Sequence, residues 1–169
     1  AVQDINVKVR LNHTFDGDLV LSLVSPTGAT VPLATNRGSS GDNFGSGSND
    51  CAGTKTVFDD SAATAISAGA APFAGSFRPE SPLSAINGAA TAGTWKLRVA
   101  DTAGGDVGVI GCVDLEITRA AYVCATCGGG PTPTPTATPT GTPNIDVSPL
   151  SLTATQAANA STNQTLNIG

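Results

Sequence analysis

Residues 5–11 alternate strictly between apolar and polar side chains. Ile5, Val7, Val9 and Leu11 fall on one side, and Asn6, Lys8 and Arg10 on the other. A period of two matches the pleat of a strand, and it cannot gather apolar residues along one side of a helix. The same rhythm returns at Trp95, Leu97 and Val99, and again at Val113, Leu115 and Ile117. Between these stretches the chain is broken by 20 Gly and 11 Pro in 169 residues, both of which interrupt helices. The expected fold class is all-β.

Other segments refine that picture. Leu19 to Val24 is a nearly continuous apolar run, which reads as a strand covered on both faces. Residues 30–34 read as a short strand whose Pro32 puts it at a sheet edge or a bulge. Residues 93–99 and 113–117 flank a Gly/Asp turn and read as a hairpin. Residues 35–56 carry almost no apolar side chains and read as one long loop, the kind that is usually functional, metal-clamped or mobile. Phe73, Phe77, Leu83 and Ile86, spaced through an Ala/Gly/Ser/Pro-rich stretch, are expected core plugs.

Charge excludes whole classes. Eight Lys and Arg against thirteen Asp and Glu leave a net −5, with no basic cluster. A non-specific nucleic-acid binder needs a basic face, so no nucleic-acid partner is expected. No apolar run approaches the roughly 18 residues of a membrane span. After Cys127 the character changes. Three glycines and then PTPTPTATPTGTP form a low-complexity spacer of polyproline character. The expected organisation is a β domain over 1–127, a linker over 128–142, and the truncated start of an immunoglobulin-like β domain over 143–169. Pro/Thr stalks typify secreted, multi-domain proteins, so the expected location is secreted or cell surface. The chain has no Met and opens inside a strand pattern, which reads as a piece of a longer precursor.

Four cysteines, Cys51, Cys112, Cys124 and Cys127, fit disulfides in an oxidising compartment. Of the three pairings, Cys51–Cys112 with Cys124–Cys127 is favoured. The first would pin the long loop to the last strand. Zinc is disfavoured because there is no second CxxC and the only His is far away in sequence. A redox role lacks a βαβ setting.

No catalytic motif stands out. A Ser-His-Asp triad would have to use His13, and no G-x-S-x-G elbow occurs. His13 reads as a structural residue that bonds the backbone. The carboxylate pairs Asp16/Asp18 and Asp59/Asp60 lack the flanking aromatics of a glycosidase and read as turn residues.

Three separate stretches, in order, resemble one family. They are Leu11-Asn12-His13-Thr14-Phe15-Asp16-Gly17-Asp18-Leu19 continued by Ser25-Pro26-Thr27-Gly28; Phe58-Asp59-Asp60; and Gly93-Thr94-Trp95-Lys96-Leu97 with Val99 and Asp101. Together they resemble the P domain (P/Homo B domain) of proprotein convertases and bacterial subtilisin-like proteases, over about residues 1–119. Residues 71–80 are similar to its bacterial branch. The resemblance implies a jelly-roll β-sandwich. It also implies a non-catalytic domain that follows a serine-protease domain, with the catalytic domain of the same polypeptide as its partner. The strand that opens the family's domain is missing from this chain. At Cys112 to Leu115 many relatives carry Trp, whose packing a disulfide could replace.

Calcium is the expected cofactor. It takes six to eight oxygen ligands, and the turns of a sandwich cluster at its ends. Asp18, Asp59, Asp60, Asp101 and Asp106 all sit in expected turns and are the candidate ligands; the resemblance to bacterial relatives adds weight to calcium. The competing function is a stalked surface adhesion module that binds carbohydrate or protein, which exposed aromatics on one face would favour.

Overall fold

The computed structural model describes residues 1–121, together with the backbone of three later strands. The described residues form ten strands: β1 (Val2–His13), β2 (Leu19–Val24), β3 (Thr30–Thr35), β4 (Thr56–Phe58), β5 (Gly75–Phe77), β6 (Gly93–Asp101), β7 (Gly108–Arg119), β8 (Val147–Ser148), β9 (Ala154–Gln156) and β10 (Ser161–Ile168). Two five-stranded sheets form the sandwich, in the orders β5-β4-β1-β7-β9 and β3-β2-β6-β10-β8. Successive strands repeatedly cross from one sheet to the other, as β1 to β2, β3 to β4, β5 to β6 and β6 to β7 all do. The result is the expected all-β jelly-roll sandwich.

Alternation decides which side of each strand is inside. Ile5, Val7, Val9 and Leu11 of β1 are buried against Leu19, Leu21 and Leu23 of β2 and Trp95, Leu97 and Val99 of β6 in one core. In the run Leu19 to Val24 only the odd positions are fully buried among the apolar residues, and Val20 and Val24 are half-buried. β3 is an edge strand, and its pairing with β2 shifts register between Leu21 and Ser22, where Pro32 faces Ser22. Proline cannot donate to a ladder, which suits that position.

One expectation is corrected. β6 and β7 are not a hairpin. β6 pairs with β2, while β7 pairs with β1 from Val2↔Arg119 to His13↔Gly108 in the opposite sheet. Each strand has one apolar face, and a hairpin and an arch across the sandwich bury those faces equally well. Arg10 lies on the polar side of β1 to which the alternation assigns it, yet it is closed off from solvent. It is only 3% exposed, because the segment after Phe44 folds over it.

That segment is tied down more firmly than its composition suggests. Phe44 exchanges backbone hydrogen bonds with Leu11 (3.0 and 2.9 Å) and stacks on Phe73 with ring centres 4.8 Å apart. The Arg10 guanidinium donates to the carbonyls of Ser48 (3.0 Å), Gly47 (2.7 Å) and Leu11 (3.0 Å). Burial lowers the Arg10 pKa, and the nearby Asp50 opposes that shift. Cys51 is disulfide-bonded to Cys112 on β7, as expected. Lys55 donates to the Cys51 carbonyl (2.8 Å) and pairs with Asp114 (3.1 Å).

The strands described within 143–169 pair with these same sheets. β10 lies antiparallel to β6 from Ser161↔Ala100 to Ile168↔Gly93, and β9 pairs with Gly108 to Ile110 of β7. The expected Cys124–Cys127 bridge and the spacer 128–142 lie outside the described residues.

Candidate functional site

The five aspartates expected to hold calcium do not form one cluster. Asp59 Oδ1 accepts the N–H and O–H of Ser61, both at 2.7 Å. Asp60 accepts the N–H of Leu83 at Oδ1 and of Ser84 at Oδ2, both at 2.8 Å. It thereby caps the 3-10 turn Leu83–Ile86, whose first amides have no partner within the turn. Asp106 accepts the Thr14 hydroxyl (2.7 Å). Asp18 offers its main-chain carbonyl to the N–H (2.8 Å) and hydroxyl (2.7 Å) of Thr102. Asp101 Oδ1 accepts the Ala103 N–H (3.3 Å). Asp18, Asp101 and Asp106 therefore stand where β1 ends and β7 begins. Asp59 and Asp60 follow β4, which runs antiparallel to β1 and away from that end. Among the described residues, only one group of three or more such ligands comes within 4.8 Å, namely Cys51, Cys112 and Asp114, and its sulfurs are tied in the disulfide.

His13 closes the β1 end. Its Nδ1 stands 2.9 Å from the Phe15 carbonyl oxygen and 3.1 Å from the Phe15 nitrogen, and its Nε2 lies 3.5 Å from Asp101 Oδ2. Both side chains are buried. A β-carbon on Gly108 would lie 2.6 Å from the imidazole Cδ2, so only glycine lets β7 start there. One ring nitrogen faces the backbone and the other faces Asp101. Neither is directed at a serine, and His13 serves the turn, as its sequence context implies. Base work needs a nitrogen within reach of the group to be deprotonated.

Asp16, read in the sequence as a turn residue, is the polar group in the most unusual surroundings. It is 0% exposed. Neither of its carboxylate oxygens has a hydrogen-bond partner. The loop 38–43 wraps it. Its N–H donates to the Gly41 carbonyl (2.8 Å), and the N–H of Gly17 donates to the Ser39 carbonyl (2.8 Å). Gly38 has φ +98°, and a β-carbon there would meet Asp16 Cβ at 2.8 Å. Ser39 and Asn43 also have positive φ, a conformation that aims their carbonyls in directions ordinary loop residues do not. Burial pushes the Asp16 carboxyl up to about 7; the amide of Asn43 pulls it back, and the charge of Asp42 pushes it further up. That amide is committed to the His13 carbonyl at 3.2 Å, so it leaves the carboxylate without a hydrogen bond. Nothing in the sequence around Asp16 marks it out, because its enclosure comes from residues more than twenty positions away.

A cleft of about 250 Å³ opens beside this loop, lined by residues 12–14, Asp42, Asn43 and residues 107–109. Val107 and Val109 on its rim are the large apolar side chains exposed among the described residues. No aromatic side chain is exposed among the described residues.

Fold and site thus define an all-β sandwich whose polar residues chiefly hold its own turns and its long loop. The family model of the proprotein convertase P-domain matches residues 2–117, and the chain belongs to that family. P domains are non-catalytic accessory domains of subtilisin-like proteases, typically found in secreted or membrane-associated proteins. A search of the curated proteins and a search of the solved structures found no match. Among the described residues no helix is long and apolar enough to cross a membrane.

Proposed function

We propose that this domain packs against the catalytic domain of a secreted subtilisin-like serine endopeptidase in the same polypeptide and stabilises it. The family match over residues 2–117 carries this reading. The mechanism is physical. Surface buried between the domains adds to the free energy needed to unfold the protease, by linkage. Val107 and Val109 supply apolar surface that such a contact would cover. The Cys51–Cys112 disulfide suits an oxidising, extracytoplasmic setting. The adhesion alternative gains no support from the aromatic residues, since Trp95, Phe44, Phe58 and Phe73 are all buried.

The test is to express the polypeptide with and without residues 1–169 and to compare yield and melting temperature of the catalytic domain. Loss of folded protease, or a clear fall in its melting temperature, is the expected result. Equal yield and equal melting temperature would end this reading.

A further inference from the structure

We infer that Asp16, together with Asp42 and the main-chain carbonyls of the loop 38–43, forms a site for one divalent cation of the calcium type. The argument starts from an imbalance. Burying an ionised carboxylate without partners costs several kcal/mol, and proteins resolve that cost by pairing, protonation or metal coordination. None of the ion pairs among the described residues includes Asp16. Both of its oxygens are enclosed and unpartnered. Next to it the chain places a second carboxylate rather than a cation. Gly41, whose carbonyl takes the Asp16 N–H, is followed directly by the exposed Asp42.

The donors nearby are all oxygen. The carbonyls of Gly38, Ser39 and Gly41 each accept one hydrogen bond, from Gly41, Gly17 and Asp16 respectively, and each keeps a second lone pair. Hard oxygen donors of mixed carboxylate and carbonyl type, on a loop and not a rigid element, suit calcium better than magnesium. Magnesium demands near-ideal octahedral geometry and gives up its water reluctantly. The lack of a thiol or free imidazole among these donors argues against zinc. Calcium is thus assigned to residues other than the five turn aspartates, four of which, Asp59, Asp60, Asp101 and Asp106, already accept protein hydrogen bonds through their carboxylates. The inference stands on this chain's own residues and is independent of the protease reading.

The test uses the chain as it exists, freed of metal with a chelator. It is titrated with calcium chloride, and in parallel with magnesium chloride, by isothermal calorimetry, with melting temperature followed at each point. One calcium per chain, a raised melting temperature and weaker binding of magnesium are expected. Asp16→Asn keeps the shape of the side chain and should abolish the calcium heat. Asp42→Asn should weaken binding at least tenfold, whereas Asp59→Asn and Asp106→Asn should leave it unchanged. No heat and no thermal shift in the natural sequence overturns the proposal, as does unaltered affinity in Asp16→Asn. Should Asp16→Asn fail to fold, the exposed Asp42→Asn decides, and unaltered affinity there counts equally against the site.

Discussion

Asp60 and Asp16 are both carboxylates at turns, and they live in opposite circumstances. Asp60 has each oxygen matched to a backbone N–H at 2.8 Å. Asp16 has more protein around it and no hydrogen bond to either oxygen. A carboxylate whose lone pairs are filled by amides is a cap, and its worth is the helical turn it starts. One that is enclosed with its lone pairs empty is useful only for something the chain itself does not supply. The contrast separates holding from binding without recourse to the number of nearby acids.

The comparison can be broken in several ways, and the largest effect should come from the disulfide that fastens the Asp16 side. Cys51 and Cys112 are 61 residues apart in sequence. On the chain-entropy account a loop of that length contributes about 4 kcal/mol. Replacing both with Ala should lower stability by about that amount in urea melts. Amide exchange should quicken across residues 38–55 well before it changes around Asp60. Uniform quickening would mean that the two regions are one cooperative unit. Next comes Asp60→Ala, which strips the cap from Leu83–Ile86. It should cost about 1–2 kcal/mol, and equally so with calcium or with chelator. A calcium-dependent cost would make Asp60 a ligand after all.

The smallest effect is the pH dependence of the metal-free protein. The folded Asp16 carboxyl sits at about 7, above its unfolded value near ~4. The native state therefore holds the extra proton between those values. Its contribution to stability is complete below pH ~4 and is lost as pH rises through about 7. In chelator, the melting temperature should thus drift downward over that interval from this group, and Asp16→Asn should flatten the drift. Identical pH profiles for the two proteins would show that Asp16 is ionised and compensated in some other way.

Much of this fold is legible in the sequence because one-sided strands announce themselves. Ile5, Val7, Val9 and Leu11 alternate, and they are buried as the alternation requires. Pro32 marks an edge strand for a plain chemical reason. What alternation cannot say is which wall a strand joins, and that is why β6 and β7 read as a hairpin. Phe44 is a single aromatic in a polar stretch, so local pattern hides that it plugs the core and exchanges hydrogen bonds with β1. Arg10 follows the alternation faithfully and is buried by a neighbour that the alternation does not see. The site is harder still. Aspartate in a turn has the same appearance whether it caps, binds or does neither. Asp59, Asp60 and Asp106 find their partners at hand, whereas Asp16 acquires its enclosure from residues 38–43. Only tertiary structure tells them apart.

The fastening of residues 44–55 bears on survival as much as on shape. On the proposed reading, the domain would stand beside a peptidase and offer it substrate at very high local concentration. Cleavage needs several residues to leave the surface and lie extended in an active site, so susceptibility follows the free energy of local opening. A long polar stretch rich in Gly, Ser and Asn would ordinarily be the first place to be cut. Here Phe44 sits in the core, Arg10 grips two of the stretch's carbonyls and leaves Leu11 covered, and Cys51 is bonded to β7. The segment with the most digestible composition is thereby made hard for any peptidase to reach.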